Sequence, residues 1–133
     1  MERHVKLLRI LVGLWGGLAM LVGVSMLLLA AGAWAEFRQS LGTAVEFAAG
    51  LTTVVFAGIG AFALLWGGTH VWAATLLGRR RPLGRVLTLA LAVANLLVLP
   101  FGTALGVYAF WVLLNNDARR AFGRPPREAA PAV

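Results

Sequence analysis

The chain has 133 residues, of which 60% are hydrophobic and 13% charged, with a formal net charge of +7. An average soluble domain carries roughly 25% charged residues, so this composition excludes a chain that covers its own apolar surface for water. The absence of cysteine excludes a disulfide framework, an iron–sulfur centre and a thiol nucleophile.

The first apolar run, Val5 to Trp34, has a basic start and predicts one long helix. It ends in Ala33-Trp34-Ala35, which looks like a signal-peptidase site. The apolar core of a cleaved signal spans about 7 to 15 residues, so the longer run from Ile10 to Trp34 is expected to be a retained helix. Gly13, Gly16, Gly17 and Gly23 fall on or near one face, a packing face for a neighbouring helix. A short polar connection, Ala35 to Gly42, leads to Thr43-Ala44-Val45-Glu46, which fits a capping box.

The second helix is expected from Ala44 to Leu77, roughly 50 Å at the usual helical rise. Thr53, Ala57, Gly60, Ala63, Gly67, His70 and Ala74 recur at steps of three or four, drawing a narrow face of small side chains that carries His70 inward. After Gly78, the run Arg79-Arg80-Arg81-Pro82-Leu83-Gly84-Arg85 predicts a sharp cytoplasmic turn whose Arg79, Arg80, Arg81 and Arg85 contact anionic lipid. Nucleic-acid binding is not expected, since no aromatic or polar readout residues accompany the arginines.

Two short runs follow, Leu83 to Leu99 and Phe101 to Leu114, and they fit a hairpin with Pro100 at its tip. The alternative, one proline-kinked helix, would place Arg119, Arg120, Arg124 and Arg127 on the opposite side from the other basic clusters. The hairpin keeps 11 of the 12 basic residues on one side, leaving only Arg38 outside. Asn115-Asn116-Asp117 predicts the cap of a brief surface helix ending at Phe122, and the tail 123–133, with its glycine and prolines, is expected to be disordered.

The segment Pro100-Phe101-Gly102-Thr103-Ala104-Leu105-Gly106-Val107-Tyr108-Ala109-Phe110-Trp111-Val112-Leu113-Leu114 resembles the closing segment of a group of small uncharacterised bacterial multi-pass membrane proteins, which end in P-x-G-T-x-L-G-x-Y-x-L-W-x-L-L. Phe110 stands where the group usually has leucine. The resemblance implies a multi-pass protein of a bacterial plasma (inner) membrane and implies no activity.

Counting from the cytoplasmic charges places His70, Asn95 and Tyr108 roughly 13 to 15 Å from that boundary on three different helices. A polar side chain in hydrocarbon needs a partner, so these three are expected to form an intramembrane cluster in which Asn95 bridges the imidazole and the phenol. Such a cluster holds the helices in register; a proton or small-solute site at His70 is the functional alternative. Haem ligation lacks a second histidine at the same depth, since His4 is expected at the cytoplasmic surface, and a zinc site lacks ligands, so no cofactor or metal is expected. Ser25, Thr69, Thr75 and Thr88 have no base beside them and are expected to bond back to helix carbonyls.

These readings combine into an all-α integral membrane four-helix bundle, two helices long and two short, with both termini cytoplasmic and a single domain over residues 1–122. The expected role is a small scaffold or accessory subunit in the lipid bilayer, packing as a homo-oligomer or within a larger membrane complex, and not an enzyme. The alternative is an oligomeric minimal transporter or channel with His70 near its pathway.

Overall fold

A computed structural model describes residues 2–39 and 42–123, so the expectation of a disordered tail beyond Gly123 lies outside the described residues. The described residues form five helices and no strand: α1 (Glu2–Gln39), α2 (Thr43–Gly78), α3 (Pro82–Asn95), α4 (Phe101–Leu114) and α5 (Asn116–Ala121). α1 has 38 residues and α2 has 36, about 55 Å each. α3 and α4 have 14 residues each, about 21 Å. The chain divides into two compact units: Trp15–Thr69, and the chain up to Leu14 together with the chain from His70 onward.

In the Trp15–Thr69 unit, glycines set the approach of the two helices. A Cβ built on Gly67 would fall 2.5 Å from the Gly16 carbonyl oxygen and 2.8 Å from the Met20 nitrogen, so only hydrogen fits there. Gly23 meets Gly60 and Leu64 in the same way, and Gly50 faces Phe37. Facing positions advance along one helix as they retreat along the other, which makes this unit an antiparallel hairpin. The small side chains point inward and the large ones outward: Leu18, Leu21, Leu28, Val54, Phe62 and Leu65 are all exposed, and Phe47 is 74% exposed. The hydroxyls of Ser25, Thr52, Thr53 and Thr69 close on their own helices, with Ser25 Oγ donating to the Leu21 carbonyl and Thr69 Oγ1 to the Leu65 carbonyl, whereas the buried Trp15 Nε1 has no partner. The expected capping box at Thr43 gives way to a glycine cap: the Gly42 carbonyl accepts from the Glu46 N–H, so Gly42, which has no side chain to build a box, takes the N-cap place.

In the other unit, α2 ends in a backbone cap. The Arg81 N–H donates to the Leu76 carbonyl and the Arg80 N–H to the Leu77 carbonyl, with Arg80 at φ 50, which is a Schellman motif carrying arginine where glycine is usual. Pro82 then opens α3 at a position that needs no N–H donor. α3 buries Gly84, Arg85, Thr88, Leu91, Ala92 and Asn95, a stripe at helical spacing, and α4 answers with Gly102, Gly106, Ala109, Val112 and Leu113.

The α3–α4 pair is antiparallel, with Gly106 against the Ala92 carbonyl and Gly102 against that of Asn95. The two short runs are therefore separate helices and not one kinked helix. α3 stops at Asn95, four residues before the expected Leu99, because residue 99 precedes proline and the turn has its own bonds. Thr103 Oγ1 donates to the Leu96 carbonyl at 2.9 Å, and the Val98 N–H donates to the Asn95 carbonyl. The Leu99–Pro100 bond in this turn is cis. α5 follows its capping residue as the Asn-Asn-Asp run predicts: the Asn115 side chain accepts from the Asp117 N–H at 3.2 Å.

Candidate functional site

Four polar side chains of the unit containing both chain ends, His70, Arg85, Thr88 and Asn95, are buried. His70 comes from the small-residue face of α2 and is 0% exposed; Asn95, the last residue of α3, is 2% exposed. Asn95 Nδ2 and His70 Nε2 are hydrogen-bonded at 3.0 Å. Asn95 Oδ1 has no hydrogen-bond partner. Exchanging the two ends of the carboxamide would leave Nδ2 unpaired instead, so one end of this amide is unsatisfied in either placement.

Tyr108 does not join this pair as expected. Its hydroxyl lies 3.2 Å from His4 Nδ1, at the start of α1, and His4 also packs edge-on against Trp111 at a centroid distance of 5.2 Å. The reason is helical phase. His4 stands one and two helical steps of four before Leu8 and Val12, which are 0% and 2% exposed, so all three share the inward face of α1. Residue count from the charged boundary placed His4 at the surface, whereas the i, i+4, i+8 spacing carries the signal that it points inward.

A second correction concerns Arg85. It was expected with Arg79, Arg80 and Arg81 as a lipid contact, and those three are exposed, but Arg85 is 8% exposed and its Nε donates to the Leu113 carbonyl at 3.0 Å. Arg85 lies on the same stripe as Thr88, Ala92 and Asn95, which turns it toward α4. α4 has no basic residue in its last turn, and the guanidinium from α3 supplies both a donor and a positive charge to that helix end. Thr88 departs from expectation as well: its Oγ1 is buried without a partner, whereas Thr75 Oγ1 bonds back to the Trp72 carbonyl.

The arrangement can hold helices in register and places one imidazole in a buried position. Among the described residues no three His, Asp or Glu side chains come together in a way that would hold a metal ion. Comparison with models of known families, with curated proteins and with solved structures returned no match to this chain.

Proposed function

We propose that the chain is an integral membrane protein of a bacterial plasma membrane that serves as a small scaffold or accessory subunit. The observation that carries this reading is the outward face of the long hairpin. Leu18, Leu21, Leu28, Phe47, Val54, Phe62 and Leu65 stand exposed on helices of 38 and 36 residues, each apolar enough to cross a membrane. Exposed apolar area of this extent marks contact with lipid or with another protein, since soluble monomers confine such patches to a few hundred Å². Trp34, Trp72 and Trp111 are half exposed, as interface-belt residues are, while Trp15 and Trp66 are further buried.

In this reading α1 and α2 cross the bilayer, and the positive-inside bias puts both chain ends and the triple-arginine turn in the cytoplasm. α3 and α4, about 21 Å each against a hydrocarbon thickness of about 30 Å, form a hairpin that enters from the same side. Its tip residues Leu97, Leu99 and Phe101 are exposed and uncharged. The backbone N–H groups of Leu97, Val98 and Thr103 are bonded within the turn, which lowers the cost of keeping the tip among lipid tails.

A transporter or channel centred on His70 is the second reading, favoured by the unpaired end of Asn95 beside it. The two separate by experiment. Crosslinking in native membranes is expected to return a homo-oligomer or a partner band, and monomer alone would remove the scaffold. Proton flux in proteoliposomes is expected to be the same for the wild type and His70→Ala; a flux that depends on pH and is lost in that variant would install the transporter.

A further inference from the structure

A cavity of about 650 Å³ opens between the first turns of α1, the end of α2 and α5, and four of the residues lining it are basic: Arg3, Lys6, Arg9 and Arg80. Asp117 is the one acidic residue on its wall. Its deeper wall is apolar, formed by Leu77 and Phe122, both buried. We propose that this cavity is a binding site for a phosphate-bearing anion, the chemistry shared by a phospholipid headgroup and a free phosphate compound.

Helix capping does not account for the concentration of charge. At the end of α2 the carbonyls of Thr75, Leu76 and Leu77 already accept from the backbone N–H groups of Arg79, Arg81 and Arg80. The Arg9 guanidinium nevertheless lies flat across the last residue of α2: a Cβ on Gly78 would fall 2.6 Å from Arg9 Cζ. Glycine at 78 therefore makes the room that this guanidinium occupies. Arg80 stands at φ 50, a backbone conformation that favours glycine, so the position bears a charged side chain against its local preference. Arg3, Lys6 and Arg9 bring three positive charges to one concavity against the single carboxylate of Asp117, and a doubly charged anion is the ligand that best relieves that field. Guanidinium groups pair with phosphate oxygens through two parallel N–H bonds, and the apolar wall behind them suits the carbon skeleton attached to the phosphate.

The site differs from a general attraction of basic residues for membranes, because Arg79 and Arg81 flank Arg80 in sequence but do not line the cavity. It also stands independently of the membrane reading, since the test uses detergent-solubilised protein. Native mass spectrometry would follow titration with three probes: short-chain phosphatidylglycerol, short-chain phosphatidylcholine and inorganic phosphate.

Saturable binding of phosphatidylglycerol in preference to phosphatidylcholine is expected, weakened about tenfold or more in Arg9→Gln/Arg80→Gln and changed less than about twofold in Arg79→Gln/Arg81→Gln. Competition by inorganic phosphate would assign the site to free phosphate compounds as well; its absence would assign it to the lipid headgroup. Circular dichroism checks that the variants fold, and if the first pair does not, Arg3→Gln/Lys6→Gln gives the same reading at the rim. Equal losses in the cavity and flanking pairs, or no saturable binding of phosphatidylglycerol or inorganic phosphate, would overturn the proposal.

Discussion

Arg85 shows how one side chain can complete a helix it does not belong to. Its Nε–H reaches the Leu113 carbonyl across the α3–α4 pair, in a setting where 8% of the residue is exposed. Arg85→Met keeps an apolar stem and deletes the donor, so the expected loss of stability is about 1.5–3 kcal/mol, the range for a hydrogen bond to a charged group. Unfolding in a mixed-detergent titration would measure it, and Arg85→Lys should recover little, because an ammonium cannot present an N–H from the Nε position. His70 and Asn95 form the second residue-scale test. A double-mutant cycle with His70→Ala and Asn95→Ala is expected to show a coupling of about 0.5–2 kcal/mol. Strict additivity would mean that the 3.0 Å bond contributes nothing to holding α2 against α3.

At the scale of elements, the small residues decide how closely the helices approach. Gly67→Ala pushes a methyl group into the Gly16 carbonyl and is expected to cost about 1–3 kcal/mol through overpacking. Gly17→Ala lies one residue from that contact but meets nothing within 4 Å, so it should gain about 0.5–1 kcal/mol of helix preference. Thermal unfolding of the two variants side by side tests whether glycine here serves close packing or only composition. The end of α2 gives a third case: Arg80→Gly is expected to be more stable than Arg80→Ala by about 1 kcal/mol, because both lose the side chain and only glycine suits the left-handed position. Both changes should weaken anion binding at the basic cavity to the same extent, so stability and binding should separate between the two variants.

The stripe through Thr53, Ala57, Gly60, Ala63, Gly67, His70 and Ala74 was legible in the sequence because small residues spaced by three and four share one face of a helix; Gly60, Gly67, His70 and Ala74 are buried and the other three half-buried. The hairpin at Pro100 was legible for a similar reason, since proline interrupts helical bonding. His4 and Arg85 were misplaced because distance from a charged boundary says how deep a residue sits along a helix and nothing about the direction in which it points. Helical phase supplies that direction, through Leu8 and Val12 for His4 and through Thr88 and Ala92 for Arg85. Asn95 and His70 meet, yet the unpaired end of the amide depends on side-chain placement across two helices and had no sequence signal.

For the whole molecule, the account depends on lipid surrounding the long hairpin and on the arginine-rich ends sharing one side. The chain contains no cysteine, so each introduced thiol reports a single position. The most direct measurement is labelling of Gly42→Cys, Arg79→Cys and Asp117→Cys in intact cells and again after permeabilisation, with a maleimide that does not cross membranes. The account predicts that Gly42→Cys is labelled in intact cells, while Arg79→Cys and Asp117→Cys are labelled only after permeabilisation. Labelling of Arg79→Cys in intact cells, or protection of Gly42→Cys until the membrane is opened, would contradict it.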